Sequence, residues 1–560
     1  MSKNARLRAL LATGYFPEEL PPPFTTESFA KFRKVIGNAW SALPHHYPKT
    51  SAELYSGPRQ HGWRRDFSIV NPIAQYHLAK IISDNWEEIK LRLAGSYSTE
   101  PLSVNLKDGR AVPKPDFELV RLRHVEITAQ YDYVLIADIS RFYGTLYTHA
   151  IPWALHGKSW CKSNLHNADY KSSLGDRLDR AVRRGNEDQT LGIPVGPDTS
   201  RLLSEIVAVA VDTMISGKLN LTSDRAVRHV DDWYIGFDTL GEAEAAMAVL
   251  ASACRDFQLE IHPEKTRSVH VPRETAPEWP SALRNLAFGS KPYAQRRSIE
   301  NFFSQAFHYS SQYPKDNVLS YAVSRSRNLK VHPENWHTYE TYLLKAARSN
   351  TTTLPAIVQI LTSYKASGFP LGIDRISKLI ADVVRNGAPM AFHAEVAWAL
   401  FLAKALSIRL SSQSLAPVTE LESSACALVA LDLRSRGLID GELETGLWQQ
   451  SMNEAGLTSN MWLLAYEAEL KGWLHGATPY VAAHSYFSEL RKRSVSFYDT
   501  KKNVKHIRKI KPKPPSDALL NLLAKWGAVN PADPQPALAQ GRIVGPLVGL
   551  GGYWDGGDFY

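Results

Sequence analysis

Two adjacent acids, Asp231 and Asp232, stand in Arg228-His-Val-Asp-Asp-Trp-Tyr-Ile-Gly-Phe237, between two apolar or aromatic runs. The pattern predicts a β-hairpin that lifts both carboxylates onto the tip of a tight turn. Neighbouring carboxylates repel, so the pairing costs free energy unless a cation shares them. A hard divalent ion such as Mg²⁺ takes carboxylate oxygens and keeps waters or phosphate oxygens at its other positions. Asp-Asp steps are also common on solvated turns, so the pair alone decides nothing.

A second acid points the same way. Tyr131-Asp-Tyr-Val-Leu-Ile-Ala137 is a β-branched and apolar run that predicts a buried strand, and it ends in Asp138, followed by Ile139-Ser-Arg-Phe142-Tyr143-Gly144. Between the two acid segments lies Gly192-Ile-Pro-Val-Gly-Pro-Asp-Thr-Ser200, a Gly/Pro loop running into a helix that spans about 200–216. Leu202, Leu203, Ile206, Val209 and Met214 give that helix its core face. After the hairpin come an Ala-rich helix over 241–257 and a strand and turn over Leu259–Thr266. The alternation fits an α+β domain in which strand ends hold the acids.

These segments resemble reverse transcriptases, and specifically the abortive-infection and unknown-group defence-associated reverse transcriptases of bacteria. The resemblance rests on Gly14-Tyr-Phe-Pro-Glu-Glu-Leu-Pro-Pro-Pro-Phe24, Asn71-Pro72, Asp138 to Lys158, Gln189 to Ser200 and His229-Val-Asp-Asp232, and covers about residues 10–270. It implies a fingers-palm polymerase domain followed by an all-α, HEAT-like helical-repeat domain. The expected division is 1–125 for the N-terminal segment and fingers, 126–280 for the palm with a fingers insert at about 155–190, 281–510 for the helical repeats, and 511–560 for a Pro/Gly-rich tail.

The chemistry implied is nucleotidyl transfer with two Mg²⁺ (or Mn²⁺) ions held by carboxylates from different strands. Asp138 and Asp231 would bridge the metals and Asp232 would be the auxiliary acid; Ile139 joins both the metal and the nucleotide contacts by the resemblance. Phe142 and Tyr143 would line the nucleotide, Tyr143 stacking under the sugar; an ordinary core tyrosine is the alternative. Gly196 would let template or nucleotide approach the backbone. Lys265 would offset triphosphate charge. In a polymerase Arg64 and Arg65 would lie in the fingers and meet the triphosphate; surface arginines beside a helix start are an equal alternative. The partners implied are dNTPs, nucleic acid (a DNA product, with RNA as template or partner), a homo-oligomer and a covalent protein–DNA product. Two departures bear on this. His229 stands where the family usually has Tyr, and Pro194-Val195-Gly196 lacks the glutamine of the intron-type Pro-Gln-Gly, which argues against ordinary template copying. Retron signatures are missing, and no endonuclease domain follows. A catalytically silent binding scaffold is the non-enzymatic alternative.

The rest of the chain is consistent with an intracellular nucleic-acid enzyme. A chain of 560 residues predicts two or three domains, and 44% hydrophobic with 22% charged residues is ordinary for a globular protein. The net charge of +9 suits a polyanionic partner. Cys161, Cys254 and Cys426 are far apart, giving neither a disulfide framework nor a zinc spacing, which predicts a reducing cytoplasm. No apolar stretch is long enough to span a membrane. Arg177, Arg180, Arg183 and Arg184 form a basic helical face, alternating with Asp176 and Asp179, which favours simple solvation over phosphate contact. A helix is expected to include Tyr147, His149 and Trp153. Beyond Pro272, Pro277 and Pro280 helices are expected at about 336–348, 353–366, 372–386, 391–408, 418–436 and 459–474. A basic run follows from Lys501 to Pro515, and the tail ends in Gly551-Gly-Tyr-Trp-Asp-Gly-Gly-Asp-Phe-Tyr560.

Overall fold

The computed structural model describes residues 1–507, apart from 44–46, 60–61, 99–100, 107–108, 223 and 272–276. The tail from 511, the end of the basic run and Pro272 therefore lie outside the described residues.

A four-stranded antiparallel sheet carries the acids. It is built from β3 (Tyr133–Asp138), β4 (Ala226–His229), β5 (Asp232–Phe237) and β6 (Arg267–His270), in the order β4-β5-β3-β6. Side chains alternate across it. Leu135, Ala137, Trp233, Ile235 and Phe237 join the main core, on the side of the helices Asp198–Leu219 and Leu240–Asp256. Val134, Val227 and Tyr234 form a smaller cluster with Ile127 on the other face. Thr239 starts the helix 240–256 with a capping box shared with Glu242. Of the strand and turn expected over Leu259–Thr266, the turn is present at 263–265, but the strand is not. Pro263 cannot donate to a ladder, and the regular strand begins at Arg267; before it only Ile261 bridges to Ile139.

A separate hairpin, β1 (Glu53–Pro58) paired with β2 (Arg64–Ile69), precedes the helix Pro72–Asp84. The Asn71-Pro72 step is that helix's start. Asn71 Oδ1 accepts from the Ile73 amide at 3.1 Å, its Nδ2 donates to Leu457 O at 2.8 Å, and proline fits the first helical position. Around the expected insert the helices are Ala150–His156, Lys158–Asn164, Ala168–Ser172 and Leu174–Arg184. Tyr147 lies outside them, in a bridge to Leu191, so the expected helix through Tyr147 and His149 begins only at Ala150.

Beyond residue 278 the regular elements among the described residues are helices, apart from a short parallel pair, Leu410–Ser411 with Ile439–Asp440. Trp336–Ser349, Leu354–Ala366, Ile373–Gly387, His393–Leu406 and Trp462–Leu470 lie close to the expected positions. The stretch expected as one helix over 418–436 is two, Ser412–Thr419 and Ser424–Ser435, because the second is restarted by Ser423 accepting from the Cys426 amide.

This helical half is not detached from the rest. Pro21 to Phe24 close a turn, Phe24 N–H donating to Pro21 O at 3.1 Å, rather than the extended path three prolines favour. Phe24 then bridges to Tyr498, with Thr25 N–H donating to Phe497 O at 2.9 Å and Asp499 N–H to Pro23 O at 2.7 Å. The Phe497 ring lies 5.3–6.4 Å from those of Tyr15, Phe16, Phe29, Trp462 and Tyr466.

Candidate active site

The acids meet at one end of the central sheet. Asp138, last in β3, is the register partner of Asp232, first in β5, so the two carboxylates leave the same face on neighbouring strands. Asp231 lies in the turn between His229 and Asp232, which are themselves partners. The Ile139 N–H donates to the Asp231 carbonyl at 3.2 Å, tying the turn to the end of β3. On the other side of β3, His262 N–H donates to Asp138 O at 2.6 Å and Ser140 N–H to Glu260 O at 2.8 Å. The 259–265 loop is thereby laid along the Asp138 step.

That loop delivers Lys265, whose ammonium pairs with the Asp138 carboxylate. Its pKa is raised: partial burial works against the charge, but Asp138 outweighs it, helped by Asp232 and Asp231. Asp231 is pushed up to about 6, first by burial and then by the charge of Asp138; Lys265 and Arg65 oppose the shift. Burial and the Asp138 charge together outweigh the two cations at Asp231. Among the described residues no three His, Cys, Asp or Glu side chains close around one ion position. The donor set nonetheless fits Mg²⁺, which is held by one or two carboxylates and fills its octahedron with water and substrate oxygens.

The other residues singled out by sequence separate into groups. Arg65 is near enough to Asp231 to lower its pKa. Arg64 is not turned that way. Its guanidinium forms a two-pronged pair with Glu395, lies 4.0 Å from the Phe392 ring centroid, and donates to Ser56 Oγ and O. Neighbouring side chains on a strand face opposite ways, so one arginine of the pair serves the helical half. Tyr143 accepts from Ser204 Oγ at 3.2 Å, and its pKa is raised by burial, with a contribution from Asp231, which places it beside the acids. Phe142 and Ile139 bury their side chains in the core, so a ligand could meet only their main chain.

Gly196 has a local reason to be glycine. Its φ is 115°, and a Cβ there would stand 2.7 Å from Pro17 Cγ. The expected close approach of template is thus replaced by close packing of the Gly14–Pro17 segment. The buried Arg110 guanidinium completes this joint, bonding to Asp198, Phe16 O and Gly196 O. The arginines of helix Leu174–Arg184 are largely engaged: Arg180 with Asp176, Arg183 with Asp179, and Arg184 with Tyr47 O.

Sequence reasoning missed Glu205, Asp212 and Arg228. Glu205 and Asp212 lie two helical turns apart, flanking the apolar run Ile206–Val211, and Arg228 is one residue before His229. Charges at core spacing were the available signal.

Residues 62–306 match the family model described as reverse transcriptase (RNA-dependent DNA polymerase). This stretch is a reverse-transcriptase domain, and it supports RNA-directed DNA polymerase activity in this chain. No curated protein matches the chain. Among solved structures, telomerase from Candida albicans in complex with a TWJ fragment of telomeric RNA is similar over 66% of this chain and 69% of that one, with 11% identity and a TM-score of 0.27. A likeness that distant carries no argument about this chain. No helix among the described residues is long and apolar enough to cross a membrane.

Proposed function

We propose that this chain is a reverse-transcriptase-like DNA polymerase of antiphage (abortive-infection) defence, which builds DNA from dNTPs without a conventional template and starts on a protein hydroxyl. The observation that carries the polymerase reading is the placement of Asp138, Asp231 and Asp232 at one sheet end, with Asp231 pushed up to about 6. Asp138 and Asp231 would hold the divalent ions and Asp232 would assist. When bound, the two ions activate the attacking hydroxyl and neutralise the leaving pyrophosphate. The chain's own residues set the geometry. The Ile139 N–H and the β3–β5 register fix the acids relative to one another. Lys265, paired with Asp138 and partly exposed, supplies a cation that would also face a bound triphosphate. Arg65 is the second cation whose charge reaches Asp231. The defence setting, oligomerisation, protein priming and a bacterial cytoplasmic location rest on the sequence resemblance. Val195 in place of glutamine supports synthesis without ordinary template copying.

Copying of an RNA template is the second reading, favoured by the description of the matching family model. Purified protein with Mg²⁺ and labelled dNTPs, with and without nuclease pretreatment and beside Asp231→Ala, separates the two. Product made by the nuclease-treated wild type, absent from the variant and migrating with the protein on a denaturing gel, supports protein-primed synthesis. Product abolished by ribonuclease supports an RNA template. No product from either protein under any condition would overturn the polymerase reading in favour of a nucleic-acid-binding scaffold.

A further inference from the structure

We infer that Arg228 is a positioning residue for Asp231, locking the turn that presents this carboxylate through a buried ion network anchored in the helix Asp198–Leu219. The inference rests on the two-metal reading of the acids and assigns a role to residues that make no contact with substrate.

The starting point is the backbone. Val230 has φ 56°, a left-handed conformation that is a genuine outlier for a β-branched residue. Such strain persists only where the surroundings over-determine it. Here they do. Arg228 Nη1 donates to the Val230 carbonyl at 2.7 Å, and Ile139 N–H donates to the Asp231 carbonyl at 3.2 Å. These carbonyls belong to the two peptide planes on either side of the Asp231 Cα. Fixing both planes fixes the direction in which the Asp231 side chain leaves the backbone.

The first of those bonds is only as rigid as the guanidinium that makes it. Arg228 is fully buried, and its donors are all engaged. Nε reaches Asp212 Oδ1 and Oδ2 at 3.1 and 3.0 Å. Nη1 reaches Glu205 Oε2 at 3.0 Å as well as Val230 O, and Nη2 reaches Glu205 Oε1 at 2.8 Å, Asp212 Oδ2 at 2.9 Å and Ser96 Oγ at 3.1 Å. The acids are held in turn. Trp233 Nε1 donates to Asp212 Oδ1 at 2.8 Å, the Tyr97 amide to Asp212 Oδ2 at 3.2 Å, and Ser96 Oγ to Glu205 Oε1 at 2.9 Å. Burial works against the charge on Arg228, but Asp212 and Glu205 outweigh it and raise its pKa. A planar guanidinium in a fixed fork suits this task; the three donors of an ammonium cannot reproduce it. A buried ion network contributes little net stability against a hydrophobic one of the same volume. Its value here is directional: the long helix, through two acids and one arginine, holds the peptide that aims Asp231.

The test compares wild type, Asp231→Asn, Arg228→Lys and Glu205→Gln. Circular dichroism reports folding, the EPR signal of free Mn²⁺ reports metal binding without nucleic acid, and steady-state dNTP incorporation reports kcat and KM. Partners behind metal ligands typically matter by about 10–100-fold. Arg228→Lys is expected to keep its far-UV spectrum, bind Mn²⁺ about tenfold more weakly, and lose about tenfold or more in kcat with KM nearly unchanged. Mn²⁺ affinity and kcat within about twofold of wild type in a folded Arg228→Lys would overturn the inference while leaving the polymerase reading intact. Should Arg228→Lys fail to fold, Glu205→Gln decides in the same way, since it loosens the grip on Arg228 without removing the bond to Val230. Its Mn²⁺ affinity is expected to fall, and an unchanged value overturns the inference. Wild type that binds Mn²⁺ no better than Asp231→Asn and incorporates nothing overturns both readings together.

Discussion

Arg64 offers a sharp contrast between what its position in the sequence suggests and what its surroundings dictate. If it met the triphosphate, Arg64→Ala would raise the KM for dNTP and leave stability untouched. The structure instead ties it to Glu395, whose side chain is 3% exposed against 21% for Arg64. Removing one partner of a mostly buried pair strands the other charge, at a cost of about 3–5 kcal/mol. Part of the arginine's contribution comes from Phe392 and Ser56 and does not depend on Glu395. The coupling between the two side chains is therefore smaller, about 2–3 kcal/mol for a two-pronged charged pair. Urea unfolding of wild type, Arg64→Ala, Glu395→Ala and the double variant isolates that term. Both single variants should lose stability, the double should lose less than their sum, and KM for dNTP should stay close to wild type in whatever fraction is folded. A coupling near zero, with KM raised in Arg64→Ala alone, would refute the assignment and return Arg64 to the nucleotide.

Three further perturbations follow from the site and its supports. Gly196→Ala places a Cβ against Pro17 at a φ of 115°, so it should cost about 1–3 kcal/mol by denaturant unfolding without nucleic acid; unchanged stability with a raised KM for dNTP would instead mean that the glycine serves a ligand. Glu53 is pushed up to about 7 by burial at the joint between β1 and helix Ser424–Ser435, where one carboxyl oxygen accepts from Ser423 Oγ and the Ala425 amide and the other has no hydrogen-bond partner among the described residues. A raised carboxyl keeps its proton longer in the folded state, so its ionisation erodes stability as pH rises from about 4.5 to 7. Glu53→Gln should therefore stabilise the protein at pH 8 by at most about 3 kcal/mol, with the gain gone near pH 4.5; a gain of equal size at both pH values would show that titration of Glu53 is not its source. Asp231→Asn should abolish incorporation and yet, without metal, raise stability at pH 8 by about 1–3 kcal/mol, because the wild-type carboxyl ionises there against burial and Asp138. A loss of stability under those conditions would contradict the reading that burial and Asp138 oppose ionisation of Asp231.

Much of the fold was legible where one rule acts over a short stretch. Runs of β-branched, apolar and aromatic residues gave β3 and the β4–β5 hairpin, and helical periodicity gave the helices from Trp336 to Leu470 that lie near the expected positions, but not Pro292–Gln312 or Val318–Ser326. Gly and Pro marked the loop before Asp198. The failures share a cause: they are positions where a distant residue decides. Nothing within a few residues of Gly196 announces Pro17, and nothing near Arg64 announces Glu395. The strand expected from Leu259 shrinks to one bridge at Ile261, while the turn expected after it is kept at 263–265, where Pro263 ends the pairing and Lys265 reaches Asp138. Of the charged residues that act together at the hairpin, the acids were found because Asp-Asp at a turn is locally odd. Arg228, Glu205 and Asp212 were passed over because each sits in a run that reads as ordinary core.

The N-terminal segment shows why the helical half belongs in any account of the site. Gly14 O accepts from the Asp198 amide at 2.8 Å, and Pro17 packs on Gly196, so the segment braces the loop that starts the long helix. Tyr15 Oη donates to Val70 O at 2.5 Å, bracing the end of β2 before Asn71. Its other side is covered by Phe497 and tied to residues 497–499. Asn71 and Trp462 add direct bonds, to Leu457 O and from Trp462 Nε1 to Ile69 O. The long helix carries Glu205 and Asp212, which hold Arg228, which holds the peptide before Asp231. Packed interiors transmit displacement because they have no slack. A shift in how residues 457–499 seat against the N-terminal segment would therefore reach the β1–β2 hairpin directly and the turn that carries Asp231 through one helix, which gives the second half of the chain a physical hold on the proposed site in the first.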